Sequence, residues 1–495
     1  MTTVERSTRL GAVRGIERMG VHTFWGLRFA QPARRFREPE PATPWDGVWD
    51  ATTMKAMAPQ GPLDATLAEP PDAPIDEDCL YLNVHVPATP SGQPRPVLFF
   101  VHGGAFVGGA ANQYDGSALA AGADAVVVCT NYRLGLLGFT DVSSAGPEQA
   151  RSVDLWLLDC LEALRWVRDN IADYGGDPEC VTVLGESAGA AATVALVAAP
   201  EAQGLFHRAM ASSASMWASS SERSILREIA AKTRRSEQQV TDLLMQGSTA
   251  EVLALQKKHK TLQPNPLAGT PLLPAMPDAL IAQRGPAAVP LIIGYATHEG
   301  AIVDVILRKA LHLRWPLTAV VKRVVAKRIA IGAAGGKAKV KAYLRGMRAV
   351  HPGLLNTGRV DAVWTDGARR AAVDCAEATT RAGSAGYVYC LDVPCELAGQ
   401  KLPSTHGADL ELTFNFYGDP DRSGFAIIDH PLAPELGKKW VAMLAQFART
   451  GDPSGPLGDW PVYDPESRVT LRVTPDGGQP EEHLERPYRE QVWTS

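Results

Sequence analysis

Hydrophobic and polar positions along this chain fall into two alternating patterns. Short apolar runs rich in β-branched residues, PVLFFV (96–101), AVVVCT (125–130), VTVL (181–184), PLIIGY (290–295) and YVYCLDV (387–393), have the length and composition of buried strands. Helical spacing lies between them. In WLLDCLEALRWVRDN, Trp156 to Asn170, the apolar Leu157, Leu161, Leu164 and Val167 recur on one face. Strands that alternate with helices predict a mainly parallel sheet covered on both sides, an α/β fold. No internal repeat or low-complexity linker divides the chain, so one domain over 1–495 is expected, with helical insertions at roughly 215–285 and 303–385.

Two stretches bear on chemistry. In VTVLGESAGAAA (181–192) a strand run meets an alanine-rich run that ends at Pro200, and Ser187 stands between Gly185 and Gly189. Glycine two residues either side lets the backbone make a strained turn and lets strand and helix approach, which pushes the hydroxyl out at the tip. That is the pattern of a nucleophile elbow, although a Gly-Ser turn before a helix also serves as a plain N-cap. The second stretch, VHGGAFVGG (101–109), follows a strand directly. Consecutive glycines let backbone N–H groups converge on one point, as an oxyanion hole requires, and Gly104 and Ala105 are the candidates, with the amide of Ala188 as third donor. A phosphate cradle is the weaker reading, because no Lys-Ser/Thr follows and GxGxxG is absent.

Acyl transfer also needs a base and an acid that orients it, here in the order serine, acid, histidine. Eight histidines follow Ser187: His207, His259, His298, His312, His351, His406, His430 and His483. His207 sits in LFHRAM, which reads as helical, and His312 and His351 flank a basic segment. His406 lies in STHGADLEL on a loop after a strand, beside a glycine and near Asp409 and Glu411, which read as exposed loop carboxylates. Glu299, in IIGYATHEGAIVD, falls just past the carboxyl end of a strand, where open α/β sheets place their sites. Its neighbour His298 is a second candidate base, so the residues alone leave base and acid open.

Bulk composition narrows the class. A chain of 495 residues with 45% hydrophobic and 21% charged positions can bury a large core, which excludes disordered and fibrous classes. The formal net charge of −5 gives no pull toward nucleic acid. No apolar run approaches a membrane span, and the opening MTTVERSTRLG lacks the apolar core of a signal peptide, so a cytoplasmic location is expected. Seven cysteines at 79, 129, 160, 180, 375, 390 and 395, without CxxC spacing, predict free thiols and no zinc site.

The stretches VRGIERMGVHTFWGLRFAQP, EDCLYLNVHVP, VHGGAFVGG, NYRLGLLGF, NIADYGGDPECVTVLGESAGA, LFHRAMASSAS, THEG, THGADLELTF, FARTGDP and WPVYD run in order along nearly the whole chain. In them the sequence resembles the type B carboxylesterases, the α/β-hydrolase family that includes the cholinesterases. The resemblance implies an α/β-hydrolase fold and hydrolysis of small-molecule carboxylic esters through an acyl-serine, with no cofactor and no metal. It implies Ser187 as nucleophile, Glu299 as acid, His406 as base, and Gly104, Ala105 and Ala188 as the oxyanion hole. It further implies Ser213 beside the acid, and ion pairs of Arg35 with Glu77 and of Arg133 with Asp159 as scaffold.

Departures from the family matter too. The cysteine that often pairs with that of the EDCLYL segment is replaced by alanine in AMAPQ, at Ala58, so Cys79 is expected as a thiol. Residues 58–78 contain no aromatic, which argues against the tryptophan that stacks on choline in cholinesterases. LRFA (27–30) replaces Ile-Pro-Tyr-Ala, and Trp156 and Cys160 stand where the family prefers glycine and glutamine.

One stretch has no counterpart in that resemblance. Residues 305–360 contain no acid but carry Arg308, Lys309, Arg314, Lys322, Arg323, Lys327, Arg328, Lys337, Lys339, Lys341, Arg345 and Arg348. A solvated helical face is the simpler reading, and peripheral contact with an anionic membrane the sharper one. Two rival functions also stand: a non-catalytic esterase-like binding protein, which usually lacks the serine or histidine, and an amidase or carbamate hydrolase with the same triad.

Overall fold

The computed structural model describes residues 2–61, 73–214, 218–219, 224–258, 267–303, 339–352, 359–415 and 426–493, with isolated positions between 305 and 330. The basic residues from Arg308 to Arg323, with Arg328 and Lys337, lie outside the described residues, as do His259 and His312.

A 13-stranded sheet runs through the molecule. Its strands are β1 (Thr2–Thr8), β2 (Gly11–Arg18), β3 (Val21–Arg28), β4 (Val48–Asp50), β5 (Tyr81–Pro87), β6 (Arg95–Val101), β7 (Val126–Thr130), β8 (Gly176–Glu186), β9 (Arg208–Ser212), β10 (Leu291–Ala296), β11 (Gly386–Leu391), β12 (Val469–Thr474) and β13 (Gly477–Glu482). The spatial order is β1-β2-β3-β5-β7-β6-β8-β9-β10-β11-β12-β13, with β4 on β2. From β7 to β12 every pairing is parallel. Both margins are antiparallel apart from β4, which pairs in parallel with β2. The five apolar runs read from the sequence are the buried central strands β6, β7, β8, β10 and β11. The marginal strand TTVERST alternates polar residues and is largely exposed, so it carries no such run.

Each side of the sheet has its own core. Along β6, Val97, Phe99 and Val101 join one cluster, while Leu98 and Phe100 join the other, as a period of two requires. Helices α1 (Leu155–Asn170) and α2 (Ala188–Ala198) pack in the first cluster, and α4 (Ala433–Thr450) in the second. A further helix, α3 (Arg359–Arg381), falls within the span 303–385 expected as the second insertion and packs against β10 and β11. Helix α1 is buried on nearly every side, including Asp159 and Glu162, where one apolar face was expected. Trp156 explains part of this, since it stacks on Phe139 at 5.1 Å and meets Phe106 of the 101–109 loop edge-on at 5.3 Å.

The reading of LFHRAM as helical is corrected. His207 precedes β9, whose residues pair in parallel with both β8 and β10. A short apolar run carries no period that separates helix from strand, and tertiary pairing decides. All seven cysteines are free thiols, and Cys79 and Ala58 are both buried. Arg133 and Asp159 form a buried pair with Nη2–Oδ1 at 2.6 Å, and Arg35 Nε meets Glu77 Oε2 at 2.6 Å half-buried. Among the described residues no helix is long and apolar enough to cross a membrane.

Candidate active site

Ser187 stands between the end of β8 and the start of α2 with φ 58° and ψ −119°, a conformation L residues avoid. Neighbouring packing enforces it. A Cβ on Gly185 would lie 2.2 Å from Gly189 O, and one on Gly189 would lie 2.0 Å from Val101 O. Strand, turn and helix therefore meet at backbone contact distance, and only glycine fits either position. The Ser187 N–H donates to Ser212 O of the adjacent strand at 2.9 Å, which ties the turn to the sheet.

His406 sits on the turn before the short helix Asp409–Phe414, and its Nε2 lies 2.7 Å from Ser187 Oγ. On the other side of the ring, Nδ1 lies 2.6 Å from Glu299 Oε2. With the proton on Nδ1, His406 donates to Glu299 and accepts from Ser187. Glu299 opens a short helical turn just past β10 and is fully buried. Its Oε1 accepts from Ser213 Oγ at 2.7 Å and from the Ala296 N–H at 2.7 Å. These bonds leave one carboxylate oxygen to face the imidazole.

The remaining candidates are placed elsewhere. His298 is exposed, with Nδ1 against Thr297 Oγ1, and does not join the relay. His207 Nδ1 accepts from Val181 N–H, and His351 bonds Tyr488. Asp409 and Glu411 are not exposed loop carboxylates, and that expectation is corrected. Both are buried in the short helix after His406, where Asp409 Oδ2 accepts from Tyr389 OH at 2.7 Å and Glu411 accepts from the Ile428 N–H. Neither bonds the His406 ring: Asp409 bonds Tyr389 of β11, and Glu411 bonds the segment at 427–428.

Gly104, Ala105 and Phe106 all have positive φ, at 114°, 54° and 60°. Among the described residues no acceptor takes the N–H of Gly104, Ala105 or Ala188. Gly103 is pressed against the elbow, since a Cβ there would lie 3.2 Å from Ser187 Cβ. The loop thus holds unspent donors beside the serine. No group of His, Cys, Asp and Glu among the described residues is arranged to hold a metal ion.

Some neighbours carry no signal of their own in the chain. Glu186, inside the GESAG stretch itself, places Oε1 3.3 Å from His406 Nε2. Burial raises the Glu186 carboxyl to about 8. Burial by itself would lower the His406 imidazole, but the charges of Glu186 and Glu299 outweigh it and push it up to about 9. The two shifts compete. An ionised Glu186 draws a proton to His406, and burial, which favours the neutral carboxyl, weakens that draw. From α3, Trp364 lies against the His406 ring at 5.3 Å, while Thr365 Oγ1 accepts the Glu299 N–H and Asp361 Oδ1 the Gly300 N–H. One face of α3 thus braces both Glu299 and His406.

Known proteins share this architecture. The profile of the Carboxylesterase family matches residues 2–491. The chain belongs to the carboxylesterase family. It is 33% identical to the para-nitrobenzyl esterase of Bacillus subtilis over 94% of each chain. A PNB esterase structure superposes with a TM-score of 0.81 at 30% identity, covering 100% of both chains. A carboxylesterase of Geobacillus stearothermophilus superposes at 0.80 with 29% identity, covering 99% of each. The carboxylesterase fold is that of the α/β-hydrolases, and membership makes the chain a carboxylic ester hydrolase of the serine class.

Proposed function

We propose that this carboxylesterase hydrolyses small-molecule esters with Ser187 as nucleophile, His406 as general base and acid, and Glu299 as the orienting carboxylate. His406 Nε2 takes the proton from Ser187 Oγ as the oxygen attacks the ester carbonyl. The carbonyl π electrons move onto oxygen, and the N–H groups of Gly104, Ala105 and Ala188 stabilise the charge, about 3–4 kcal/mol for each donor lost in comparable enzymes. Collapse breaks the bond to the alcohol, which leaves with the proton from His406. Water then gives its proton to His406 as it attacks the acyl-serine, and collapse breaks the bond to Ser187 Oγ, which takes that proton back as the acid leaves. Glu299 holds the Nδ1–H tautomer throughout.

The observation that carries this reading is the unbroken relay from Ser187 Oγ through both ring nitrogens to Glu299, at 2.7 and 2.6 Å. It also counts against a non-catalytic binding role. Membership favours esters over amides and carbamates. Turnover of a nitrophenyl ester, the matching anilide and a carbamate by the same preparation tests this: the ester is expected to react fastest, and a faster anilide overturns it. A cytoplasmic location is proposed with it, supported by seven free thiols, six of them buried. Cell fractionation tests that part.

A further inference from the structure

Past Val101 the oxyanion loop leaves the sheet, and three consecutive residues in it hold positive φ. Such a backbone relaxes unless its surroundings over-determine it. The restraint is visible at the loop's far end. Gln60, 3% exposed, grips Gly109 with both ends of its carboxamide: the Gly109 N–H donates to Oε1 at 2.9 Å, and Nε2 donates to Gly109 O at 3.0 Å. The same Nε2 donates to Ala58 O at 3.2 Å, which fixes the side chain to its own segment.

Gly109 passes the restraint back to the loop's start. Its φ is 99°, and a Cβ there would lie 2.3 Å from Gly103 O. Gly103 in turn packs on Ser187 and Glu186. Gln60, Gly109, Gly103 and Ser187 thus form one contact chain that closes the loop against the elbow. Two more buried carboxamides extend it: Asn131 Oδ1 accepts from Ala111 N–H at 2.8 Å while Nδ2 reaches Ala56 O and Cys79 O, and Asn112 Nδ2 donates to Lys55 O. Asn131 joins the segment of Ala58 to Cys79 without a covalent bond.

We propose that Gln60 is a positioning residue of the oxyanion hole: its two-ended grip on Gly109 holds the Gly104 and Ala105 N–H groups at the reacting centre. This rests on the proposed serine mechanism. Gln60 touches no reacting atom, so its loss removes stabilisation of the charged tetrahedral state and leaves ground-state binding intact.

The test compares Gln60→Ala, Gln60→Glu and Asn170→Ala on a nitrophenyl acetate and on a trifluoromethyl ketone, which adds to the serine as a tetrahedral oxyanion. Asn170 is a buried amide whose Nδ2 donates to Trp166 O, remote from the loop, and controls for lost stability. Gln60→Ala is expected to lower kcat by about 10- to 100-fold with KM within about twofold, and to weaken the ketone by the same factor. Gln60→Glu keeps the acceptor for the Gly109 N–H but sets a carboxylate oxygen against the Gly109 and Ala58 carbonyls, so it too lowers kcat and weakens the ketone with KM held, and it serves alone if alanine fails to fold. Asn170→Ala lowers Tm and keeps kcat. Wild-type kcat and ketone affinity in Gln60→Glu and Gln60→Ala overturn the proposal, as does a change confined to KM. Turnover that survives in Ser187→Ala would instead sink the serine mechanism itself, so the two failures are distinguishable.

Discussion

Glu299 Oε2 lies 2.6 Å from His406 Nδ1, and its other oxygen is held by Ser213 and the Ala296 N–H. That geometry supports the proposed orienting role of Glu299 over the carboxylates that follow His406. Glu299→Gln is expected to lower kcat by about 10⁴-fold, the loss seen when an orienting acid becomes an amide. Asp409→Asn keeps an amide oxygen that can accept from Tyr389 but loses the carboxylate, so any cost falls on folding, read as a drop in Tm, with kcat per folded active site far less affected. A collapse of kcat in Asp409→Asn alongside a near-normal Glu299→Gln would mean that the acid is misassigned.

Glu186 bears on the expected pH dependence. In the proposed mechanism activity needs neutral His406 and is lost as pH falls through the imidazole's pKa, which an ionised Glu186 raises. Glu186→Gln removes that charge, so the acidic limb of kcat/KM moves to lower pH. A pH profile of the variant checks the sign, and movement to higher pH contradicts it.

The Arg133–Asp159 pair lies inside the core, with Asp159 fully buried and Arg133 nearly so. Arg133→Met leaves a buried carboxylate without its cation, which destabilises by about 3–5 kcal/mol. Urea unfolding should report that loss. Turnover per titrated active site should stay within about twofold of wild type, since neither residue touches the relay.

Gly189 has no room for a side chain. Its Cβ would fall 2.0 Å from Val101 O, where strand and helix are closest. Gly189→Ala should therefore either fail to fold or fold with the elbow displaced. Circular dichroism together with the amplitude of the acylation burst separates these outcomes, and a native burst would contradict the packing argument.

Residues whose function depends on local sequence were legible before any coordinates. Ser187 announces itself through Gly185 and Gly189, and Glu299 is a candidate through its place after the apolar run of β10, although the residues alone leave the acid open. His406 needed the resemblance, because a histidine on a loop has no local signature. Gln60 and Asn131 were invisible for a physical reason: a carboxamide that grips backbone many positions away imposes no period and no composition on the chain. Thr365 and Trp364 were hidden likewise, since the helical face they share points at a turn and a ring supplied by other segments. Asp409 and Glu411 were misread as exposed because charge near a loop suggests solvent, while the short helix after His406 carries both inward against Tyr389 and Ile428.

The account stands on covalent catalysis at one hydroxyl, and intact-protein mass spectrometry after reaction with a fluorophosphonate reads that directly. One adduct per chain is expected, mapped by peptide sequencing to Ser187, with parallel loss of ester turnover. Ser187→Ala, which removes only the hydroxyl, should keep the native circular dichroism spectrum and show neither adduct nor turnover. A labelled residue other than Ser187, or ester hydrolysis retained in a purified, folded Ser187→Ala protein, would contradict the mechanism.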